Sequence, residues 1–484
     1  MQKIVINNTE IKKYNFHFIA IGGIGMSGLA KYLLENGYEV SGSDIKDSKY
    51  LKQLKDLNAK IFIGHNKNNL PKNKNTIVVV SSAIKDNNQE LIEAKNLGYK
   101  IFHRSDLLEF ISRNFVESKD SIFIGFSGTH GKTTSSGLCS YILEKAKLNP
   151  SFSVGGIIPE LNVNAKFAGN KFFIAELDES DGSIVKYSPD INVINNLEAD
   201  HLDFYKNGLD SLLQTFSSYL VNLKESSKVI INNDNIGNLK LIELNKNKIK
   251  NFITFGLNKA DYMAINIDYE GFGSSFDVIK DDQILGKIKL SIPGEHNVYN
   301  ALGVISACIE SGIDFNEIVQ YFQSFTGMGR RFQKTAKFND ITIIDDYAHH
   351  PSEIKATLKS IEKYNKGRKI VIFQPHRYSR LKSLWKDFQQ CFINSDIDIL
   401  FITDVYAASE EPISDINSKA FQEVLKENGV NAIYVNGSIE ENSKQIFNYL
   451  KQNDLVLTCG AGDITQLGGY LLLEFKLKNE RARV

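Results

Sequence analysis

Ser121-Ile122-Phe123-Ile124-Gly125-Phe126-Ser127-Gly128-Thr129-His130-Gly131-Lys132-Thr133-Thr134 is the stretch on which the fold turns. Ser121 to Phe126 is a short apolar run that ends in a Gly-containing turn, the pattern of a buried strand, and a helical segment then runs to Lys147. Gly131-Lys132-Thr133 has the end of a phosphate loop. In such a loop backbone N–H groups cradle phosphates, the lysine reaches the β and γ oxygens, and the hydroxyl reaches Mg2+. A standard loop would carry a further Gly five residues before Gly131, where this chain has Phe126, so a strict pattern search passes it over. Gly-Lys-Thr is common by chance; its place between a buried strand and a helix is what singles it out.

The chain upstream makes the same strand–turn–helix statement a second time. Phe16 to Ala20 is apolar, Gly23-Ile24-Gly25-Met26-Ser27-Gly28 is a G-x-G-x-x-G turn, and a helix follows through Leu34 until Gly37 stops it. Glycines there let the backbone approach a pyrophosphate at a helix N-terminus. A strand from Tyr38 to Ser41 leads to Asp44, about where a ribose-binding acid is expected. The motif points to a nucleotide diphosphate without saying which; a tight turn with no ligand is the plain alternative. Further strands at Ile61 to Ile63 and Thr76 to Val80 alternate with helices, which predicts a parallel, doubly wound sheet closing near Asn114.

Downstream, Glu176-Leu177-Asp178-Glu179-Ser180-Asp181 follows the apolar run Phe172 to Ala175. Carboxylates at the end of a parallel strand that faces a phosphate loop suit Mg2+, although an acidic run is ordinarily a solvated surface. A second cluster, Asn195 to Asp203, holds His201 as a candidate metal ligand and again follows a strand, Ile191 to Asn195. Another strand is expected at Lys228 to Asn232, β-rich alternation over 262–292, and a helix from Asn297 to about Ser311. Asn297 and Asn300 share one helix face and could match an adenine edge, but by residues alone a helix cap fits them better. A third α/β unit starts at Gly327-Met328-Gly329-Arg330-Arg331, with strands at Ile341 to Asp345, Lys369 to Phe373, Asp398 to Thr403 and Leu455 to Thr458. Asp345-Asp346-Tyr347-Ala348-His349-His350-Pro351 and Gln374-Pro375-His376-Arg377-Tyr378-Ser379-Arg380 end two of its strands and could bind carboxylates, where the guanidinium forks well.

Composition narrows the function classes. Lys and Arg total 57 and Asp and Glu total 57, so the formal net charge is zero and no basic excess marks a nucleic-acid or anionic-membrane binder. A mix of 42% hydrophobic and 24% charged residues argues against chain-wide disorder, and 484 residues suggest two to four domains. Cys139, Cys308, Cys391 and Cys459 are far apart, which excludes a zinc ribbon or a disulfide scaffold and fits free thiols in a reducing compartment. No apolar run approaches the roughly 18 residues of a membrane-spanning helix. A cytoplasmic protein without stable membrane association is expected.

Taken together these blocks resemble the Mur ligase family along the whole chain. Gly22 to Ala30, Gly128 to Thr134, Glu176 to Asp181, Glu198 to Asp203, Gly294 to Asn300, Gly329 to Phe332, Asp345 to Pro351, Gln374 to Arg380 and Asp404-Val405-Tyr406-Ala407-Ala408 look like that family's signatures in the same order. The resemblance implies an α/β chain of three domains: a Rossmann-like domain at 1–115, a central P-loop ATPase domain with a parallel sheet plus a small β region at 116–325, and a Rossmann-like C-terminal domain at 326–484. It implies ATP and Mg2+ as cofactors, and UDP-N-acetylmuramic acid and L-alanine as substrates joined through an acyl phosphate for peptidoglycan synthesis. By the same resemblance Gly23, Gly25, Ser27, Asp44, Ser81, Ser82 and Arg104 serve the UDP-sugar. Gly128, Thr129, His130, Gly131, Lys132, Thr133, Thr134, Asn297, Asn300, Arg331 and Asp346 serve ATP. Thr133, Glu176 and His201 would hold Mg2+, and His349, His376, Arg377 and Arg380 the carboxylate and the amino acid. Lys132, Glu176, His201, His350 and His376 form the implied catalytic set, with His350 or His376 as the base. Sister ligases carry a carbamylated lysine; no Lys lies between Lys206 and Lys224, so none is assigned. Three rivals stand beside this reading: a relative that attaches a whole tripeptide to the same sugar, a catalytically idle protein that senses a UDP-sugar, and a nicotinamide-dependent oxidoreductase argued from Gly23 to Gly28 and Asp44. The oligomeric state stays open.

Overall fold

The computed structural model describes residues 13–114, 121–168, 171–200, 204–249, 252–269, 273–362, 366–408 and 410–481. Three sheets form. The first is parallel throughout, in the order β3 (Lys60–Ile63), β2 (Val40–Asp44), β1 (Asn15–Ile19), β4 (Thr76–Val80), β5 (Lys100–His103). The strand order reverses at β1, and the Gly-rich turn leaves the carboxyl end of that strand, the place where open α/β sheets take ligands.

The second sheet has ten strands. Its centre is β6 (Ile122–Ser127), hydrogen-bonded in parallel to β9 (Phe172–Glu176) on one side and β10 (Ile191–Ile194) on the other. Phe123 to Ser127 are all buried, as expected of a strand covered on both faces. Beyond β9 lie β7 (Ser151–Ile158) and the antiparallel β8 (Val163–Lys166). Beyond β10 lie β11 (Lys228–Asn232) and β12 (Phe252–Gly256), then β13 (Tyr262–Asp268), β14 (Ser274–Lys280) and β15 (Gln283–Leu290), the β-rich stretch anticipated over 262–292.

The third sheet orders β16 (Gln333–Phe338), β17 (Ile341–Asp346), β21 (Leu455–Cys459), β18 (Lys369–Phe373), β19 (Ile399–Ile402) and β20 (Ala432–Tyr434). All its pairs are parallel except the edge strand β16 against β17.

The chain divides into two compact units. One takes Met1–Ile267, Phe276–Ile288 and Asn297–Phe325; the other takes Asp268–Ser275, Lys289–His296 and Thr326–Val484. Within the first unit, the first two sheets share one apolar core. Helix Ile24–Glu35 buries Met26, Leu29, Ala30, Tyr32 and Leu33, and the same cluster continues into Phe123, Phe173 and Ala175 of the second sheet. Tyr32 makes edge contacts with Phe167 and Phe173 at 5.1 and 6.0 Å between ring centroids. Gly28 allows this approach: a Cβ there would lie 3.0 Å from Asn164 Nδ2, which donates to the Ile24 carbonyl at 2.9 Å. No described helix is long and apolar enough to cross a membrane. Cys139, Cys308 and Cys459 are buried, and all four cysteines are free thiols.

Candidate active site

Gly128 and Gly131 shape the turn after β6 by doing what an L side chain resists. Their φ values are +116° and +84°. A Cβ on Gly128 would sit 2.7 Å from the Asn196 carbonyl, and one on Gly131 would run into the Asn300 amide. Gly131 is also the N-cap of helix Lys132–Lys145, so the first free N–H groups of that helix open at the loop. Asn196 braces the loop from β10: its Oδ1 accepts from His130 N at 2.8 Å, and its carbonyl accepts from Thr129 N at 2.8 Å. The Thr129 hydroxyl accepts from Glu198 N at 2.9 Å.

Lys132 folds across its own loop, donating to the Gly128 and Thr129 carbonyls at 2.7 and 3.1 Å and to Glu179 Oε1 at 2.8 Å. Burial alone would discharge it, but Glu179, Asp178 and Glu176 outweigh that and hold its ammonium above the ordinary lysine range. Burial pushes Glu179 up to about 7, with Lys132 opposing. Thr133 Oγ1 donates to Glu176 Oε2 at 2.8 Å, and Gly155 N donates to the same oxygen at 2.9 Å. Thr133 and Glu176 thus offer two adjacent oxygen donors. That suits Mg2+, which is usually held through one or two carboxylates plus substrate phosphates. His201 lies outside the described residues, and among those described no cluster of three or more His, Cys, Asp or Glu forms a metal-binding group.

Asn297 and Asn300 are buried inside helix Glu295–Glu310, not at its cap, which corrects the capping reading. The helix has already begun at Glu295, so both side chains are free to face inward. Asn300 Nδ2 donates to Asn297 Oδ1 at 3.0 Å, and Asn300 Oδ1 accepts from Ser135 Oγ, one turn along the phosphate-loop helix, at 3.2 Å.

On the other side of Glu176 a cleft of about 210 Å³ opens between the first two sheets, lined by Gly25, Arg104, Ser153, Gly155, Glu176 and Asp178 among others. The helix carrying Gly25 starts from Gly23, an extended N-cap. Ser27 is buried, and its hydroxyl donates to the Ile24 carbonyl at 3.0 Å. Asp44, at the carboxyl end of β2, accepts from Gly22 N at 2.8 Å and so holds the turn. Ser81 and Ser82 follow the end of β4, and Arg104 opens helix Arg104–Asn114 after β5. Arg104 pairs with Asp178 across the two sheets. Burial works against charge at Asp178, yet Arg104 and Lys132 hold its carboxyl well below the usual range.

The second unit carries its own constellation. Asp346, at the end of β17, accepts from Phe332 N at 2.6 Å and Ala348 N at 2.8 Å, and burial raises its carboxyl although Arg331 opposes this. Arg331 also reaches Glu353 at 3.4 Å. His349 Nδ1 lies 2.9 Å from the Tyr347 carbonyl, which can only accept, so this nitrogen carries the proton and Nε2 carries the lone pair. His376 shows the reverse: its Nδ1 lies 3.3 Å from Arg380 Nη1, which can only donate, so the proton sits on Nε2. His350 caps helix Pro351–Ile361, its Nδ1 2.8 Å from Ser352 Oγ. Burial lowers His349 to about 4 against the pull of Glu353; burial, His349 and Arg380 lower His376 to about 3. The His376 ring stacks on Tyr406 at 5.6 Å with 9° between planes. Arg377 takes φ +69° to cap helix Tyr378–Ser383, its N–H bonded to the Tyr406 carbonyl at 2.9 Å.

A protein of Geotalea daltonii named UDP-N-acetylmuramate–L-alanine ligase is 39% identical over 457 residues, covering 94% of this chain and 97% of the relative. The chain belongs to the Mur ligase family. The same name is carried by a Clostridium botulinum protein, 40% identical over 94% of this chain and 97% of its own length. Three family descriptions match in succession: "Mur ligase family, catalytic domain" at 15–116, "Mur ligase middle domain" at 126–308 and "Mur ligase, glutamate ligase domain" at 330–462. Among solved structures, UDP-N-acetylmuramate-alanine ligase from Thermotoga maritima superposes with a TM-score of 0.80 at 27% identity, covering 96% of this chain and 99% of that one. A murein peptide ligase from Psychrobacter arcticus shares the fold with a TM-score of 0.66 at 22% identity, covering 95% and 98%.

Asn196, Gly155 and Tyr406 had no assigned role from the sequence, and Asp178 and Glu179 stood only as part of an acidic run suited to Mg2+, not as partners of Arg104 and Lys132. Asn196 and Glu179 stood inside blocks already singled out, and their positions just after the buried strands β10 and β9 were the available signal. Gly155 had none, because its significance is the close approach of the Glu176 carboxylate from a neighbouring strand.

Proposed function

We propose that the chain joins L-alanine to the lactyl carboxylate of UDP-N-acetylmuramic acid with hydrolysis of ATP, releasing ADP and phosphate, in cytoplasmic peptidoglycan precursor synthesis. The observation that carries this reading is the position of Glu176, which lines the cleft beside Gly25 and Arg104 and also accepts from Thr133 of the phosphate loop. A carboxylate in that cleft and a γ-phosphate on that loop are neighbours, as the chemistry requires.

A carboxylate is a poor acyl electrophile, since its charge repels an amine and oxide is a poor leaving group. Transfer of the γ-phosphoryl group to a carboxylate oxygen removes both obstacles. Lys132 neutralises charge on the phosphoryl oxygens, and the N–H groups at the start of helix Lys132–Lys145 cradle them. A Mg2+ held by Thr133, Glu176 and His201 would add further charge stabilisation there. The Asn297–Asn300 pair would face the adenine, and Arg331 and Asp346 are further candidates for the nucleotide. The amine of L-alanine then attacks the acyl carbon, phosphate leaves with the former carboxylate oxygen, and the amine's proton passes to the departing phosphate or to water. Arg377 and Arg380 hold carboxylate, and His349, whose Nε2 bears a lone pair, accepts a hydrogen bond from the amine more readily than His376 can.

Phosphate release from ATP, Mg2+ and UDP-N-acetylmuramic acid tests this with L-alanine, the tripeptide or no acceptor present, product mass being read in parallel. Release with L-alanine and a product heavier by one alanine residue is the expected result. Release only with the tripeptide would make the chain a peptide-recycling ligase.

A further inference from the structure

The acidic loop after β9 holds more than a metal ligand. Asp178 pairs with Arg104, which stands in the sugar cleft against Gly25, whereas Glu179 pairs with Lys132 of the phosphate loop at 2.8 Å. The two acids are consecutive in the chain, so their Cα atoms are about 3.8 Å apart and one cannot shift far without the other. The loop is tied at both ends and at its centre: Leu177 N donates to the Phe126 carbonyl at 2.8 Å, and Gly182 N and the Tyr205 hydroxyl both donate to the Glu179 carbonyl, at 2.9 and 2.6 Å. Between the ties at Leu177 N and the Glu179 carbonyl, the two acids form one short segment that responds as a unit.

We propose that Asp178 and Glu179 are positioning residues that couple the sugar cleft to the phosphate loop, each holding the anion-binding cation of one site until its substrate arrives. The proposal rests on the two-site reading above. Phosphate arriving at Lys132 takes the cation that Glu179 holds, and a fully buried carboxylate is costly once its partner is lost. Glu179 therefore readjusts and Asp178 moves with it, loosening Arg104 towards the cleft. Nucleotide binding thereby strengthens binding of the sugar's anionic groups, and by linkage the sugar strengthens nucleotide binding by the same factor.

Calorimetric titration of UDP-N-acetylmuramic acid, with and without a saturating non-hydrolysable ATP analogue and Mg2+, reads this coupling directly. In the wild-type chain the nucleotide analogue should tighten the sugar at least about fivefold. In D178N and E179Q, each checked for folding by circular dichroism and melting, the ratio of the two dissociation constants should fall to about one. A purely structural role would weaken both constants and leave their ratio as in the wild type, which would overturn the proposal. A wild-type ratio well under about fivefold overturns it without any variant, and either variant alone suffices if the other does not fold. No sugar binding by folded wild-type protein under either condition is a different failure, that of the functional reading itself.

Discussion

The phosphate-loop site and the histidine–arginine site bury ionisable groups by opposite means. Around the loop, cations and carboxylates are matched: Lys132 with Glu179, Arg104 with Asp178, and Lys132 is kept charged. In the second unit, cations gather around rings that burial has discharged, with His376 facing His349, Arg380, Arg377 and Arg330. The first arrangement stores charge for a polyanion and exchanges partners when one binds. The second leaves neutral nitrogen acceptors beside Arg377 and Arg380, with Arg330 and Arg331 already facing Asp345 and Glu353, which suits a carboxylate and an amine arriving together.

The largest expected effect breaks the matched side. Lys132→Ala should lower kcat by roughly a hundred- to a thousandfold, the scale of losing one preorganised charge-stabilising donor, with the fold retained by circular dichroism. A folded Lys132→Ala protein of near wild-type activity would remove the loop from the chemistry.

On the unmatched side, Arg380→Ala removes a charged donor that a carboxylate needs. The KM of the carboxylate substrate it serves should rise roughly ten- to a hundredfold, as expected for a charged hydrogen bond worth about 1.5–3 kcal/mol. An unchanged KM for both L-alanine and the UDP-sugar would contradict that assignment.

Gly155→Ala sharpens the matched side by sterics alone. The added Cβ presses on the Glu176 carboxylate, so turnover should drop and the Mg2+ concentration needed for half-maximal rate should rise. Equal activity at all Mg2+ concentrations would show that Glu176 has room to give.

The smallest effect is on stability and belongs to the discharged histidines. Ordinary imidazoles titrate near 6.5, whereas His349 and His376 do so at about 4 and about 3 in the fold. Below pH 6.5 the unfolded chain binds protons that the native rings refuse, so stability should fall as pH drops from about 6.5 towards 4. Replacing both with Asn should flatten that slope in thermal melts; an unchanged slope would mean that other groups carry it.

Legibility in the sequence followed the range of the interactions. The two strand–turn–helix stretches at Phe16 to Leu34 and Ser121 to Lys147 were readable because their signals are local: an apolar run, a Gly turn, a helix. Strand β2 starts two residues later than the expected Tyr38 and runs to Asp44, since Val40 is where pairing with β1 begins. Strands β5, β8 and β16 carried no clear apolar signal, and in β7 the alternation of Phe152 and Val154 is broken by Gly155 and Gly156. β5 reads Lys-Ile-Phe-His, and β16 is an exposed edge with Lys334, Thr335 and Lys337. The candidate residues of the loops were legible by type, but their pairing was not. Nothing local says that Arg104 meets Asp178, 74 positions away, or that Asn300 meets Ser135, 165 positions away. Those contacts arise from packing between separate elements: Arg104 and Asp178 follow strands of two different sheets, and Asn300 and Ser135 sit on two different helices.

The central claim is that a carboxylate becomes an acyl phosphate before the amine arrives. UDP-N-acetylmuramic acid labelled with 18O in its lactyl carboxylate, turned over with ATP, Mg2+ and L-alanine, tests it through the mass of the released phosphate. One 18O in the inorganic phosphate is the predicted result. Unlabelled phosphate alongside normal formation of the alanine product would contradict the account.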